Sequence, residues 1–257
     1  VGLMRAKKSL GQHFLTSVPA LGAIIEAGDI EKRDTILEIG PGRGVLTREL
    51  LAQGARVIAI EKDHELIALL GEKFKDAIRA KNLILVEHDI LAWSSASLIP
   101  KKNNYKIIAN IPYYITGAII EKFLSVEHQP DHMVLLVQKE VAERVVAKNK
   151  KESILSLSVK VYGTPRIVRT VPRGSFTPAP TVDSAILSIS NISRNNFIGV
   201  DEARFFALVK KGFGSKRKFL RSNIGANEKE FESCSIPLKA RAEDITLNQW
   251  LCLAHTL

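Results

Sequence analysis

The segment Asn110-Ile111-Pro112-Tyr113 combines an amide, a rigid turn and an aromatic ring directly after an apolar run. The run at 105–109 predicts a short buried strand that ends at Asn110. The Asn110 side-chain oxygen and the Ile111 carbonyl could both accept hydrogen bonds from the exocyclic amine of a nucleobase, and Pro112 offers no competing N–H. Tyr113 could stack on the base. The segment therefore predicts a nucleobase site, although an ordinary strand-ending turn is the alternative.

Three preceding strand ends carry residues suited to a nucleoside cofactor. The loop Glu38-Ile39-Gly40-Pro41-Gly42-Arg43-Gly44 leaves the first strand, and its glycines let a ligand approach the backbone closely. Glu61 ends the second strand, where a carboxylate can accept both hydroxyl protons of a ribose. Asp89 closes the third strand in the same manner. Each feature alone also fits an ordinary strand end, but their order along the chain predicts a cofactor at one edge of a sheet.

The glycine loop also discriminates between cofactors. Loops that bind NAD follow the pattern GxGxxG, whose third glycine packs the helix on the strand. Here Val45, Leu46 and Thr47 follow Gly44 instead. The pattern resembles the S-adenosylmethionine pocket of class I methyltransferases. An amine held by Asn110 would then attack the sulfonium methyl in line, and this reaction depends mainly on positioning.

A second aromatic candidate lies in the segment 176–184, Phe-Thr-Pro-Ala-Pro-Thr-Val-Asp-Ser. Extruding a base costs a few kcal/mol, and stacking on one ring returns about 1–3 kcal/mol, so a second ring would help. Pro178 and Pro180 stiffen this loop before the last strand of the sheet. We therefore expect Phe176 near the same edge as Tyr113. The alternative is a buried loop phenylalanine.

Apolar runs alternate with helical patterns and would position these residues. Strands are predicted at Thr35–Ile39, Arg56–Ile60, Leu83–Glu87, Tyr105–Ala109, Met133–Val137 and Ala185–Ser190. Helical patterns separate the first five strands, at Gly44–Gln53, His64–Lys75, Thr116–Ser125 and Lys139–Ala147. This alternation predicts an α/β fold with a parallel, Rossmann-like sheet flanked by helices.

The pattern changes after a polar linker at Asn191–Asn196. Helical segments follow at Asp201–Gly212 and Ser215–Ile224, with two or three more to Leu257. We therefore predict two domains, an α/β methyltransferase domain at residues 1–192 and a small all-helical domain at residues 193–257.

Composition limits the classes of function. The chain has 257 residues, 46% of them hydrophobic, and a formal net charge of +10, which favours a polyanionic partner such as nucleic acid. No apolar run has the length of a membrane span or signal peptide, so we expect a cytoplasmic protein without membrane contact. Cys234 and Cys252 suggest a reducing compartment and no disulfide framework. Pro130 separates His128 from His132, and we predict no metal site.

Five motifs occur in an order that resembles one family. They are Gln12-His13-Phe14-Leu15, Glu38-Ile39-Gly40-Pro41-Gly42, Asn110-Ile111-Pro112-Tyr113, Gln138-Lys139-Glu140-Val141-Ala142 and the segment 176–184. Together they resemble the KsgA family of small-subunit ribosomal RNA adenine N6-dimethyltransferases over nearly the whole chain. The resemblance implies transfer of two methyl groups to N6 of each of two adjacent adenosines in a hairpin loop near the 3′ end of the small-subunit rRNA.

The same resemblance implies S-adenosylmethionine as the donor, bound by residues matching His13, Leu15, Gly40, Glu61, Asp89 and Asn110. It also implies the pre-small ribosomal subunit as partner, and nothing suggests an obligate interface, so we expect a monomer. Two positions depart from the family. Many relatives have Asn in place of His13, and the segment Ser153–Ser158 replaces a Tyr-Gly-x-Leu-Ser motif. Contacts of that motif are therefore not carried over.

Charge distribution supports contact with RNA. Seven basic residues and no acidic residue lie between Arg204 and Arg221, and Arg5, Lys7 and Lys8 add three at the N-terminus. A basic face binds phosphates without reading sequence, although a solvated helix surface is the alternative. We predict RNA contact by Lys210, Lys211, Lys216, Arg217, Lys218 and Arg221.

Two other functions remain open on sequence grounds. A methylase of large-subunit rRNA, as in antibiotic resistance, or a DNA adenine methylase would share the fold and the acceptor motif. A non-catalytic RNA-binding or assembly factor would keep the fold without the chemistry. The segment 176–184 and the basic helices favour the small-subunit enzyme, and the intact Gly40, Glu61, Asn110 and Tyr113 argue against a pure binding module.

Overall fold

Strands rich in Val, Ile and Leu form a seven-stranded sheet whose central members are buried on both faces, as expected where helices cover both sides. The computed structural model describes Lys7 and residues 11–94, 98–99 and 104–257. In chain order the strands are β1 (Phe14–Leu15), β2 (Thr35–Ile39), β3 (Arg56–Glu61), β4 (Leu83–Glu87), β5 (Lys106–Asn110), β6 (His132–Gln138), β7 (Thr164–Val171), β8 (Phe176–Thr177) and β9 (Ser184–Ser190).

The order of strands in the main sheet is β4-β3-β2-β5-β6-β9-β7. The chain runs outward from β2 to β4 and then returns to place β5 beside β2, with all neighbours from β4 to β6 parallel. The predicted Rossmann-like α/β fold is thus confirmed. Strand β9 runs antiparallel to β6, so the sheet is mixed and not wholly parallel as predicted. The order in which strands are added reverses between β2 and β5, and this opens a crevice at their carboxyl ends, where such sheets bind ligands.

Helices flank the α/β part of the chain at α1 (Val18–Gly28), α2 (Val45–Ala52), α3 (His64–Lys73), α4 (Lys75–Arg79), α5 (Thr116–Ser125) and α6 (Lys139–Val145). Four of them match predicted segments within a few residues. Helix α1 was not predicted, although its start has a clear signal. The Ser17 hydroxyl accepts a hydrogen bond from the Ala20 N–H, and a proline occupies the first turn.

Strand β7 was also missed, because its sequence lacks a regular alternation of apolar and polar residues. It lies at one end of the strand order, and most of its side chains are at least partly exposed. Pro165 stands near its start, as edge strands tolerate. A strand at the edge of a sheet is less buried, so its sequence need not show the apolar pattern by which central strands are predicted.

A separate two-stranded sheet holds the N-terminal part of the chain. Strand β1 pairs antiparallel with β8, with Phe14 opposite Thr177 and Leu15 opposite Phe176. The Thr16 N–H extends this pairing with a 2.8 Å hydrogen bond to the Ser175 carbonyl. Residues 14–16 are therefore tied to a segment far along the chain.

The chain divides into two compact units, one of residues up to 142 together with 166–190, and one of residues 143–165 together with 191–257. The second junction lies within two residues of the predicted boundary at 192. Residues 143–165 were assigned to the first domain and instead pack with the helical unit. Tyr162 explains this, because its ring contacts Phe197 and Phe206 at centroid distances of 5.4 and 6.1 Å, and its carbonyl accepts from the Ser193 N–H.

The helical unit contains α7 (Ile154–Lys160), α8 (Glu202–Gly212), α9 (Leu220–Ile224), α10 (Glu228–Ser233) and α11 (Leu247–Thr256). The predicted helix at Ser215–Ile224 is wrong in its first half. The Asn223 Nδ2 donates to the carbonyls of Gly212 at 2.7 Å and Ser215 at 3.0 Å. These side-chain bonds satisfy carbonyls that a continuing helix would otherwise use, so the chain turns before α9.

Cys234 and Cys252 form a disulfide that links the end of α10 to α11. The expectation that the two cysteines form no disulfide is therefore wrong in this structure. The spacing of the two cysteines does not predict this bond, because it depends on how two helices pack. Among the helices of the described residues, none is long and apolar enough to cross a bilayer.

Candidate active site

Asn110 is the last residue of β5 and lies at the crevice where the order of strands reverses. Its Nδ2 donates a 3.1 Å hydrogen bond to the backbone carbonyl of His13. Because a carbonyl can only accept, this bond fixes which end of the amide is nitrogen. The side-chain oxygen of Asn110 remains available to accept a hydrogen bond, since the described residues place no donor on it. This is the polarity that recognition of an amine requires.

Tyr113 is half-buried in the turn that follows Pro112. Its hydroxyl lies 2.6 Å from the Ser184 Oγ, and its ring stacks on the imidazole of His13 with a centroid distance of 5.8 Å and an interplanar angle of 20°. Burial raises the pKa of the Tyr113 hydroxyl, and the contact with Ser184 opposes this shift. The ring is thus held both at its edge and on one face.

The glycine loop also lines this pocket. Gly40 has a φ of +65°, and a Cβ built there would meet only the Asn110 carbonyl oxygen, at 3.9 Å, which leaves open space beside the backbone. Gly42 has a φ of +57°, and a Cβ built there would lie 3.1 Å from the Phe14 ring. The left-handed backbone and the close approach of Phe14 both favour glycine. The loop fits a ligand that lies against its main chain.

Glu61 ends β3 with its carboxylate fixed by backbone donors. The N–H groups of Lys62 and Asp63 bind its Oε1 at 2.8 and 2.9 Å, and the N–H of Gly42 binds its Oε2 at 3.2 Å. Burial raises the pKa of Glu61, while these three hydrogen bonds oppose the shift. The side chain is therefore held in one orientation at the pocket.

Asp89 follows β4 and also lines the pocket. The Lys62 ammonium donates to its Oδ2 at 2.8 Å, and the Leu91 N–H donates to its Oδ1 at 2.9 Å. The hydrogen bond from Lys62 is the main reason that the pKa of Asp89 lies below its usual value. The carboxylate is charged at neutral pH and can accept from a ligand amine.

Glu38, a residue of β2, lines the same pocket and had no predicted role. Its side chain is buried, and its Oε2 has no hydrogen-bond partner among the described residues. Burial raises its pKa to about 8, with a smaller contribution from the charge of Glu61, while the neighbouring Thr47 opposes the shift. An unsatisfied carboxyl oxygen in a pocket fits a ligand with a hydrogen-bond donor.

This buried carboxyl predicts a specific pH dependence of stability. The folded pKa of about 8 lies above the ordinary value of 4.5, so between these pH values the folded state holds more protons than the unfolded state. The free energy of unfolding should therefore fall as pH rises through this window. We expect Tm to fall less steeply with rising pH in Glu38→Gln than in the exposed control Glu72→Gln. Equal slopes in both variants would contradict the prediction.

His13 and Leu15 bring the N-terminal segment into the pocket wall. The His13 Nδ1 lies 2.8 Å from the Pro178 carbonyl oxygen, and since that oxygen only accepts, Nδ1 is the protonated nitrogen of the ring. Leu15 is buried on β1. The predicted cofactor residues His13, Leu15, Gly40, Glu61, Asp89 and Asn110 thus line one pocket together with Ile111, Pro112 and Tyr113.

Phe176 does not join this group. Its side chain is 3% exposed, belongs to the hydrophobic core with Leu15, and is not part of the pocket lining. The expectation of a second stacking face at Phe176 is not met in this structure, because the pairing of β8 with β1 turns the ring into the core. Phe176 is instead buried in the core, which was the alternative considered from the sequence.

Phe176→Ala is therefore expected to act mainly on stability. Removing a buried phenylalanine side chain costs about 3–5 kcal/mol of the free energy of unfolding, and urea denaturation would measure it. Phe219→Ala removes a ring that is 44% exposed and serves as the control. A Phe176→Ala variant with unchanged stability but impaired methyl transfer would instead support the stacking role.

Besides Glu38, two other residues that line the pocket had no predicted role. Tyr114 is 65% exposed and lines the pocket beside Tyr113, so it presents an accessible ring where Phe176 does not. Two consecutive tyrosines after Pro112 were the available signal. Gln12 also lines the pocket, and its Nε2 donates to the Asp63 Oδ2 at 2.9 Å. Asp63 accepts from Lys7 as well, at 2.7 Å, so two side chains secure the segment that leads to His13.

The basic residues of the helical unit divide into two groups. The Lys211 ammonium donates to the Ile224 carbonyl, and the Arg221 guanidinium pairs with Glu228 at 2.6 Å. Lys210, Lys216, Arg217 and Lys218 are exposed, as Lys211 is, but the described residues give these four side chains no hydrogen bond or ion pair. Of the predicted N-terminal cations, Arg5 and Lys8 lie outside the described residues.

Comparison with known proteins identifies the family. The sequence profile described as ribosomal RNA adenine dimethylase matches residues 3–257. A Dehalococcoides mccartyi protein named ribosomal RNA small subunit methyltransferase A is 41% identical over 263 residues, which cover 98% of this chain and 89% of that protein. A Nostoc sp. protein of the same name is 40% identical over 273 residues, which cover 99% of each.

Solved structures agree with this assignment. A dimethyladenosine transferase from Plasmodium falciparum superposes with a TM-score of 0.78 at 28% identity and covers 94% of this chain and 96% of its own. The 23S rRNA methyltransferase ErmE gives a TM-score of 0.76 at 25% identity, with 93% and 97% covered. The matches to the sequence profile, the relatives and the solved structures each cover nearly the whole chain, and the chain belongs to the ribosomal RNA adenine dimethylase family.

Proposed function

We propose that this protein transfers methyl groups from S-adenosylmethionine to N6 of adenosines in small-subunit ribosomal RNA and produces N6,N6-dimethyladenosine. The observation that carries the proposal is the fixed orientation of Asn110, whose amide oxygen lies in the same pocket as Gly40, Glu61 and Asp89. An acceptor for an amine and a site for a nucleoside donor therefore share one crevice.

The cofactor would be held by residues that already have fixed positions. Glu61 would accept hydrogen bonds from the ribose hydroxyls, and Asp89 would accept one from the adenine amine of the cofactor. The glycine loop would lie against the ligand. S-adenosylmethionine supplies a methyl group on a positively charged sulfur. The side chains of His13 and Leu15 would cover the pocket on the N-terminal side.

The acceptor residues would act by positioning the base. Asn110 and the Ile111 carbonyl would accept hydrogen bonds from the adenine N6 amine, and Tyr113 would stack on the ring. The N6 nitrogen would form a bond to the methyl carbon as the carbon–sulfur bond breaks, and the extra proton on N6 would pass to solvent. Orientation of the two reactants contributes most in such a reaction, and no strong base is needed.

We place the reaction on two adjacent adenosines in the hairpin loop near the 3′ end of the small-subunit rRNA. The pre-small ribosomal subunit would be the substrate particle, and the protein would act as a cytoplasmic monomer. These details come from the family resemblance. The helical unit, with its exposed basic residues, would bind the RNA backbone beyond the loop.

A salt titration tests the RNA-binding face. Four exposed cations, at Lys210, Lys216, Arg217 and Lys218, should each release counterions on binding phosphate, so log K should fall with log salt with a slope of about −3 to −4. Lys216→Gln should reduce the slope by about 1, whereas Lys32→Gln in the α/β unit should leave it unchanged. A slope near zero would exclude this face as a phosphate-binding surface.

Mass spectrometry of rRNA nucleosides after incubation with labelled S-adenosylmethionine tests the function itself. We expect labelled N6,N6-dimethyladenosine in small-subunit particles that lack the modification, and little label in naked large-subunit rRNA or duplex DNA. Label confined to large-subunit rRNA would favour a resistance-type methylase. Binding to particles without any transfer would favour a non-catalytic assembly factor.

A further inference from the structure

Two buried serines on β9 make similar hydrogen bonds in different places. Ser184 and Ser188 are both 0% exposed. The Ser184 Oγ lies 2.6 Å from the Tyr113 hydroxyl, and the Ser188 Oγ lies 2.8 Å from the His132 Nε2. Of these two serines, only Ser184 contacts the proposed acceptor site. Comparing substitutions of the two serines therefore separates the effect of losing a buried hydroxyl from the effect of losing contact with Tyr113.

Ser184 has a fixed position in the sheet. It is the first residue of β9 and lies opposite Gln138 in the antiparallel pairing with β6. Tyr113, in contrast, belongs to a short turn after β5, where the backbone alone does not fix the direction of a side chain. The hydrogen bond to Ser184 therefore ties a loop side chain to a rigid part of the fold.

The other contact of the Tyr113 ring is with His13. The imidazole covers one face of the ring, and it is itself held by the Pro178 carbonyl. The His13 carbonyl also accepts the hydrogen bond that orients Asn110. The ring of Tyr113 thus has His13 stacked against one face and its hydroxyl tied to Ser184, so a base would stack on the opposite face.

We propose that Ser184 is a positioning residue for methyl transfer, which holds the Tyr113 ring in the plane that the target adenine stacks on. The inference rests on the proposed acceptor role of Tyr113. Without the Ser184 hydroxyl, the ring could rotate away from this plane, and fewer bound adenosines would have N6 in line with the methyl group. Nothing in this role requires Ser184 to touch the substrate.

The first test compares Ser184→Ala with Ser188→Ala. Both variants lose one buried hydroxyl from the same strand, and both should lose stability to a similar extent in urea denaturation. We expect kcat for methyl transfer to fall about tenfold in Ser184→Ala, with the KM for S-adenosylmethionine within about twofold of wild type. Ser188→Ala should keep kcat within about twofold. Equal kcat values in the two variants would overturn the proposal.

A double-mutant cycle gives a readout that a general loss of stability would not change. Tyr113→Phe keeps the ring and removes the hydroxyl, so it should reduce kcat as much as Ser184→Ala. The double variant should be no slower than either single variant, because both remove the same hydrogen bond. Losses that multiply in the double variant would show that Ser184 acts by another route.

Tyr113→Ala distinguishes this inference from the function on which it rests. If Tyr113→Ala retains full turnover, the acceptor role of Tyr113 fails, and the role of Ser184 fails with it. If Tyr113→Ala is impaired while Ser184→Ala behaves like Ser188→Ala, the acceptor role stands and only the positioning role is rejected.

Discussion

Asn110→Ala should abolish methyl transfer while leaving RNA affinity nearly unchanged. The substitution removes the side-chain oxygen that would accept a hydrogen bond from N6, and it also removes the 3.1 Å bond to the His13 carbonyl. Losing one preorganised hydrogen-bonding group at a reacting centre typically costs about 10²–10³-fold in kcat. RNA affinity should persist, because most of it comes from phosphate contacts elsewhere.

The measurement is transfer of labelled methyl groups together with RNA binding by filter retention or anisotropy. Asn82→Ala, at an exposed position before β4, is the matched control and should retain wild-type rates. If Asn110→Ala turned over at the wild-type rate, another group would have to hold the amine. If RNA affinity fell in parallel with turnover, the residue would contribute to general RNA binding.

Tyr113→Ala should be the second severely impaired variant. Stacking of one base on an aromatic ring contributes about 1–3 kcal/mol, and extrusion of the target base costs a few kcal/mol. Without the ring, fewer adenosines would occupy the pocket, so we expect kcat/KM for RNA to fall by about 10–100-fold. The KM for S-adenosylmethionine should change much less, since Glu61 and Asp89 remain.

Tyr113→Phe is the control for this variant, because it keeps the stacking face. Its kcat should fall by no more than about tenfold, which is the effect expected from losing the hydrogen bond between the Tyr113 hydroxyl and Ser184. Substrates with an unpaired or already extruded adenosine provide a further comparison, since they avoid part of the cost of base flipping. If such substrates rescued none of the Tyr113→Ala loss, stacking would not be the function of the ring.

The local part of this architecture could be predicted from sequence. Apolar runs that end in Gly40, Glu61, Asp89 and Asn110 are strong signals, because central strands buried on both faces need continuous hydrophobic residues. Once these strands are parallel, their carboxyl ends meet at one edge. The pocket follows from that geometry, and the structure places all four residues in its lining.

The parts that sequence did not predict depend on contacts between distant residues. Phe176 lies in a segment with clear family motifs, but whether its ring faces the pocket or the core depends on the pairing of β8 with β1. The bond between Tyr113 and Ser184 joins residues 71 positions apart. The Cys234–Cys252 disulfide depends on the packing of α10 against α11. None of these follows from periodicity or composition.

The pairing of β1 with β8 also has a consequence for the order in which the active site is completed during translation. The pocket wall around His13 and Leu15 is synthesised early, but its partners at Ser175, Phe176 and Pro178 emerge much later. A nascent chain that ends before these residues already contains Glu61, Asp89 and Asn110, yet the wall around His13 and Leu15 still lacks its strand partner β8 and the Pro178 carbonyl. Tight binding of the methyl donor should therefore arise only after the ribosome has translated most of the α/β unit.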